Sequence, residues 1–216
     1  MEGAFVLFGS PHSQFTYKVA LMLRLSGTPF SFRYISFRTG MHRTPEFLAL
    51  SRYGQVPVLR HGDLAMVQSG AILEYLSEQS GWFGATDTGT RQTMREWLFW
   101  DADRLAPPIY RSYGYELGRL GLLPITADPA VVAHFRDAAE AALAVLDNAL
   151  AVRAWLVGDA ATVADIACYG DVAFAERSGL DLARWPHVHA WTMRFGALPG
   201  WQAPLDLLPM ADAASL

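Results

Sequence analysis

The sequence contains a single cysteine, Cys168, and several other features are scarce or missing. One thiol cannot form an internal disulfide, which excludes a small disulfide-stapled fold. The six histidines include no pair spaced four residues apart, and with one cysteine no metal cluster is expected. No apolar run approaches the roughly 20 residues that cross a bilayer. We therefore expect no metal and no membrane partner.

Positive charge is also scarce. The 17 Lys and Arg residues are outnumbered by 21 Asp and Glu residues, and the net charge is −4. No basic surface is expected to attract phosphate backbones, which argues against a nucleic acid partner. Residues 1–8 lack the basic flank and long apolar stretch of a signal peptide, so we expect a cytoplasmic protein.

Apolar side chains are abundant, at 52% of the 216 residues. A chain of this length and composition suits two small domains, each with its own core. Strand and helix signals alternate through residue 81, and only helical patterns follow, so the boundary is predicted within residues 82–90. We expect a mixed α/β domain at residues 1–83 and an all-α domain at residues 90–216.

The first domain is predicted to have the element order βαβαββα. Thr44 and Ser69 stand where side chains cap helix starts, and Gly81 stands where a helix ends. The predicted elements are strand 4–8, helix 15–25, strand 30–37, short helix 44–50, strands 56–59 and 64–67, and helix 69–81.

The second domain carries amphipathic helical stripes. The first stripe includes Leu98, Asp101 and Leu105, and we expect Pro107-Pro108 to bend or break its helix. Further helices are predicted to begin at Asp128, at Thr162, where Asp165 completes a capping box, and at Pro186, the last of them reaching Phe195. In the helix that begins at Thr162, Cys168 is expected to be a buried small hydrophobe.

Val56-Pro57 stands at the start of a predicted strand, where proline cannot donate to the ladder. A cis bond would turn the Val56 N–H and C=O outward, where they can pair with an extended peptide. An ordinary trans proline at a strand start explains the pair equally well. The residues alone favour neither.

Gln68-Ser69 stands where a strand gives way to a helix. The Ser69 hydroxyl and the first free N–H groups of the helix suit a carboxylate, and the Gln68 amide suits a neighbouring amine. Together they match the amino-acid end of a γ-glutamyl group. As a single residue, Ser69 is also explained as an ordinary helix cap.

Ser13 lies in the turn before the first helix, at the positive end of the helix dipole. Its hydroxyl could donate to a thiolate, and stabilising that anion by about 1.4 kcal/mol lowers a thiol pKa by about one unit. Ser13 taken alone is more simply a helix cap. Ser10 is the nearest competitor for the thiolate role.

Taken in order, these motifs resemble those of cytosolic glutathione S-transferases over nearly the whole chain. The matching segments are Phe8-Gly9-Ser10-Pro11 with Ser13 and Lys18-Val19, His42 to Phe47, Gly54 to Leu59, Gln68-Ser69 with Ala71-Ile72 and Tyr75-Leu76, Leu156-Val157-Gly158, and Thr162 to Ile166. The resemblance implies a thioredoxin-like N-terminal domain followed by an all-helical C-terminal domain.

The resemblance also implies the site. A serine at the activating position argues against a mixed-disulfide mechanism that would use a cysteine there. The implied contacts of glutathione are Val56 and a cis Pro57 for its cysteinyl backbone, Gln68 and Ser69 for its γ-glutamyl end, His42 and Gln55 for its glycyl end, and Ser13 for its thiol.

The implied function is a glutathione S-transferase, a homodimer acting in detoxification, that adds the thiolate of glutathione to apolar electrophiles. His12, Trp100, Tyr110 and Tyr113 are expected to face the electrophile. Two alternatives remain open: a non-catalytic binding protein that keeps the fold, and a glutathione-dependent isomerase or peroxidase.

The sequence departs from the family pattern at Gln68, where many relatives of this type have an acidic residue. Asp101 could compensate by reaching the γ-glutamyl end from a partner subunit. The simpler expectation is a helix-surface aspartate paired with Arg104 or Arg95.

Overall fold

The computed structural model describes residues 3–214. Its N-terminal part has the predicted order of strands and helices, βαβαββα. The elements are β1 (Phe5–Gly9), α1 (Gln14–Leu25), β2 (Phe30–Tyr34), α2 (Pro45–Leu50), β3 (Val58–His61), β4 (Leu64–Val67) and α3 (Ser69–Ser80). Strand β2 ends at Tyr34 and is shorter than predicted, although the Ile35 N–H still donates a hydrogen bond to the Gly9 carbonyl at the end of β1.

The strands described within residues 3–214 form one mixed sheet in the order β2-β1-β3-β4. Strand β1 is parallel to β2 and antiparallel to β3, which is antiparallel to β4. In this register Phe8 pairs with Val58, and Val58 pairs with Val67. The end of β1, the start of β3 and the end of β4 therefore lie together at one end of the strands.

Most of the predicted helix boundaries in this part follow from local capping. The Ser13 and Thr44 side chains accept hydrogen bonds from the backbone N–H groups of the first turns of α1 and α2, and Gly81 ends α3 with φ of 74°. The prediction for Ser69 is wrong. Gln68 occupies the cap position and Ser69 is the first residue of α3, because the chain turns through a positive φ one residue earlier.

The C-terminal part is helical. It contains α4 (Thr88–Trp100), α5 (Ala106–Arg119), α6 (Pro129–Leu150), α7 (Val163–Val172) and α8 (Pro186–Gly196). A π-helical turn, Asp101–Leu105, joins α4 to α5. The prolines at 107 and 108 fall in the first turn of α5, where a missing N–H costs little, so the π turn precedes them rather than a break.

Asp165 confirms the predicted capping box at the start of α7. Its carboxylate accepts hydrogen bonds from the backbone N–H groups of Thr162 and Leu156 and from the Trp191 indole. Cys168 lies on the same helix and is fully buried, as predicted. No helix within residues 3–214 combines the length and the apolar character needed to cross a membrane.

The chain after α8 returns to the sheet. Phe32 and Ala213 exchange backbone hydrogen bonds of 2.8 and 3.0 Å, and the Tyr34 N–H donates to the Asp212 carboxylate. This segment covers the otherwise free edge of β2. It also carries Met210 to the rim of the cleft described below.

Candidate functional site

A cleft of about 920 Å³ lies between these strand ends and helices α4 and α5. Three segments at the strand ends line it: Ser10 with residues 12–15 after β1, residues 53–57 before β3, and residues 67–71 at and after the end of β4. Its far wall comes from the helical part of the chain. The cleft therefore joins a polar half to an apolar half.

The Val56–Pro57 peptide bond is cis, which settles the alternative that the sequence left open. Val56 lines the cleft just before β3 begins. Neither its N–H nor its carbonyl forms a hydrogen bond with the described residues. Because backbone polar groups seek partners, this edge suits an extended peptide.

Gln68 has φ of 71° and ψ of 110°, a conformation that residues other than glycine rarely adopt. Its side chain makes no capping hydrogen bond at the start of α3. Ser69 follows at the start of α3, where the helix N–H groups point to the cleft edge. Such strain is typical of binding sites, and both residues line the cleft.

The Ser13 hydroxyl oxygen accepts a hydrogen bond from the Thr16 N–H at 3.2 Å, so Ser13 is a helix cap. The cap uses a lone pair of the oxygen and leaves the hydroxyl proton free to donate. Ser10 also lines the cleft, and its oxygen accepts a hydrogen bond from the His12 N–H at 3.4 Å. Both hydroxyls are available, and Ser13 stands at the positive end of α1.

His42 and Gln55 lie at another margin of the cleft. His42 Nε2 accepts a hydrogen bond from Arg43, whereas the buried Nδ1 has no partner among the described residues. Burial, with a contribution from Arg43, lowers the pKa of His42, so its imidazole is neutral near pH 7. The Ser51 hydroxyl holds the backbone of Gln55 through two hydrogen bonds, and the Gln55 side chain is exposed.

The helical part supplies the apolar half of the cleft. Three of the predicted electrophile contacts, His12, Tyr110 and Tyr113, line it. Trp100 does not: it packs edge-to-face on Trp97, with ring centroids 5.1 Å apart. Its neighbour Phe99 lines the cleft instead, since successive residues of a helix point about 100° apart.

Sequence reasoning also missed the segment after α5. Leu122, Leu123 and Ile125 line the cleft because this segment folds back on the helix. A Cβ atom at Gly118 would lie 2.0 Å from the Ile125 carbonyl oxygen, so glycine permits the contact. In the sequence, Gly118 was the signal of this close contact, although a glycine inside a helical pattern does not identify the segment that packs against it.

A buried ionic cluster lies at the floor of the cleft. Lys18 Nζ lies 2.6 Å from an Asp101 carboxylate oxygen and 2.7 Å from one of Asp171, and Gln14 donates to the other oxygen of Asp171. The expectation that Asp101 forms a surface pair with Arg104 or Arg95 is wrong. The inward stripe that contains Leu98 also turns Asp101 toward α1, where Lys18 compensates its charge.

The cleft lining, as described, contains no cysteine. Burial raises the pKa of Cys168 well above its usual range, so this thiol stays protonated inside α7. Over residues 3–214, His, Cys, Asp and Glu side chains form no group of three or more that could hold a metal ion. The described polar groups that line the cleft are hydroxyls, amides, two imidazoles, four phenols, two guanidinium groups, two carboxylates and backbone N–H groups.

Family models match both parts of the chain. The model of the N-terminal domain of glutathione S-transferase matches residues 7–84, and that of the C-terminal domain matches residues 116–199. Among curated relatives, glutathione S-transferase 3 of Zea mays is 31% identical over 97% of this chain and 96% of its own. Disulfide-bond oxidoreductase YfcG of Escherichia coli is 27% identical over 92% of this chain and 94% of its own.

A solved structure of a glutathione transferase family member from Pseudomonas fluorescens Pf-5, with two glutathione bound, has the same architecture. It superposes with a TM-score of 0.79 at 28% identity, over 92% of this chain and 90% of the other. The fold, the family models and the full-length relatives agree: the chain belongs to the glutathione S-transferase family.

Proposed function

We propose that the protein is a glutathione S-transferase that binds glutathione, stabilises its thiolate with Ser13 and transfers it to apolar electrophiles. One observation carries the proposal. A single cleft joins the unpaired backbone of Val56, the strained Gln68-Ser69 turn and the Ser13 hydroxyl to an aromatic wall. These groups are complementary to an extended peptide with a charged end and a thiol.

Each polar group has a proposed partner in glutathione. Val56, held by the cis bond to Pro57, pairs with the cysteinyl backbone. Gln68 and Ser69, at the start of α3, receive the γ-glutamyl carboxylate and ammonium. His42 and Gln55 contact the glycyl end. The free Nδ1 of His42, which is neutral, requires a polar partner at that margin.

Ser13 has two compatible roles in this proposal. As a cap it accepts from Thr16, and its remaining proton donates to the thiolate. The N-terminus of α1 adds a favourable positive potential. Both effects stabilise the anion, which is the nucleophile, and the pKa of the bound thiol falls.

We propose that residues 1–83 form the glutathione domain and residues 90–216 the electrophile domain, with His12, Tyr110 and Tyr113 beside the reacting carbon. Holding thiolate and electrophile together in one cleft supplies proximity. A cytoplasmic homodimer with a role in detoxification completes the proposal.

The first experiment measures glutathione binding to the purified protein by calorimetry. Conjugation assays with several electrophiles follow, and the thiol pKa is taken from the pH dependence of kcat/KM. Ser13→Ala should raise this pKa by about one unit or more, and Ser13→Thr, which retains a hydroxyl, should restore it in part. Ser10→Ala is the matched control and should leave the thiol pKa unchanged.

The outcomes separate the alternatives. Absence of glutathione binding would overturn the proposal, and a rise in pKa in Ser10→Ala alone would move the thiolate role to Ser10. Glutathione binding without any conjugation would indicate a non-catalytic binding protein. Product analysis shows whether glutathione is consumed, returned or oxidised, and oxidation would favour chemistry of the kind named for YfcG.

A further inference from the structure

His12 and Tyr113 form a hydrogen-bonded pair across the cleft between the two parts of the chain. His12 Nδ1 lies 2.9 Å from the Tyr113 hydroxyl oxygen, although the residues are 101 positions apart. Tyr113 is 6% exposed, and its ring packs on Phe174 with centroids 5.2 Å apart. The helical part therefore holds the hydroxyl rigidly against the imidazole.

Both members of the pair are neutral near pH 7. Burial, with a contribution from Arg177, lowers the pKa of His12, and burial raises the pKa of Tyr113. The pair then holds one ring N–H and one O–H. A phenol is the stronger acid and an imidazole nitrogen the stronger base, so Tyr113 donates to Nδ1 and the ring proton resides on Nε2.

The Nε2–H group is left available to a ligand. Nε2 has no hydrogen-bond partner among residues 3–214, and His12 is half-buried in the cleft wall. His12 also directly precedes Ser13 in the chain. His12 and Ser13 both line the cleft, so this donor shares the cleft with the hydroxyl proposed to hold the sulfur.

We propose that His12 Nε2–H donates a hydrogen bond to an oxygen atom of the electrophile, and that the site consequently favours α,β-unsaturated carbonyl compounds over alkyl halides. The inference rests on the proposed function, which supplies the thiolate. Tyr113 is a positioning residue, because it selects the tautomer of His12 without contacting the substrate through the bonded hydroxyl.

The donor acts on the negative charge that develops on the carbonyl oxygen during addition. The thiolate forms a C–S bond at the β-carbon, the π electrons of the C=C bond move toward the carbonyl, and negative charge appears on its oxygen. His12 Nε2–H stabilises that enolate oxygen. Solvent then delivers a proton to the α-carbon, which balances the proton released when the thiol ionised. Displacement of a halide develops no charge on a substrate oxygen.

The test compares benzylideneacetone, an α,β-unsaturated ketone, with benzyl bromide, and reports the ratio of their kcat/KM values. His12→Asn removes the Nε2 donor, and the ratio should fall by roughly 100-fold. His12→Gln can place an amide N–H near the Nε2 position and should recover part of the ratio. Tyr113→Phe should cause a smaller fall. His134→Asn, on the exposed face of α6, should leave the ratio unchanged.

An unchanged ratio in His12→Asn would overturn the inference. If both rates fall equally, so that the ratio is unchanged, and the thiol pKa rises, His12 acts in thiolate formation instead. A wild-type protein that conjugates benzyl bromide but not the ketone overturns the inference alone. A protein that binds no glutathione, or that conjugates none of the electrophiles in the wider assay, overturns the proposed function as well.

Discussion

The Lys18 ammonium nitrogen on α1 lies 2.6 Å from a carboxylate oxygen of Asp101 at the end of α4, and both side chains are buried. This contact joins the sheet-bearing part of the chain to the helical part. Asp171 on α7 makes a second contact with the same ammonium. Burial alone would lower the pKa of Lys18, but the two carboxylates outweigh it and raise the pKa.

Removal of Lys18 should be strongly destabilising. Lys18→Met retains most of the side-chain volume but leaves Asp101 and Asp171 buried without a cation. We expect the free energy of unfolding to fall by about 3–5 kcal/mol, measured by urea denaturation. Asp171→Asn is the matched control and should cost less, since a single Lys18–Asp101 pair remains. A loss below about 1 kcal/mol in Lys18→Met would contradict this account.

The pH dependence of stability should carry a contribution from Asp171. Burial and the adjacent Asp101 carboxylate raise the pKa of Asp171 well above its ordinary value of 3.8. The folded state therefore binds this proton more tightly than the unfolded chain. The contribution is destabilising above the folded pKa and is relieved as the pH falls through that pKa toward the unfolded value.

Urea denaturation of the wild type and Asp171→Asn at a series of pH values from about 7 to about 5 isolates this contribution. The stability of the wild type relative to the variant should increase as the pH falls. A difference that stays constant, or that decreases, would show that Asp171 is ionised throughout this range in the folded protein.

We expect Gln68 to lower the free energy of unfolding while contributing to glutathione binding. Its φ of 71° favours glycine, so Gln68→Gly should raise the free energy of unfolding by about 1 kcal/mol. The same change removes the amide and should weaken glutathione binding. Gln68→Ala keeps the backbone cost and should weaken binding without the gain in stability. Calorimetry and urea denaturation measure the two effects; if Gly and Ala behave alike, backbone strain at this position is negligible.

Cys168 should be unreactive in the native protein. Its thiol is fully buried, and burial holds its pKa well above the usual range, so little thiolate forms. A chromogenic aromatic disulfide reagent should modify it rapidly in denaturant and only through transient opening under native conditions. Equal rates in both conditions would mean that Cys168 and the surrounding part of α7 are open to solvent in the native protein.

The local features of the fold were predictable from short stretches of sequence. The order of elements along the chain, the caps at Ser13 and Thr44 and the capping box at Asp165 all depend on neighbouring residues. Ser69 was misjudged as a cap by one position, because the positive φ of Gln68 has no signature in its residue type. Non-glycine residues in such conformations are held there by the surrounding structure.

The composition of the cleft could be predicted only in part. The residues that follow strand ends were identified, since the sheet brings strand ends together. Phe99, Leu122 and Met210 were missed, because each reaches the cleft through the packing of a helix or a long segment on a distant element. Trp100 was predicted to line the cleft and Phe99 lines it instead, which depends on how α4 is rotated against its neighbours.

The sequence by itself determined the family, the element order and the positions of Ser13, Val56 and Gln68 at sheet and helix ends, because these depend on local spacing. Tertiary structure decided which charges and hydrogen bonds cross between the two parts. Asp101 meets Lys18, and Tyr113 meets His12, over separations of 83 and 101 residues. Contacts of that kind depend on how separate elements pack, and a single sequence shows the spacing within each element but not the register between them.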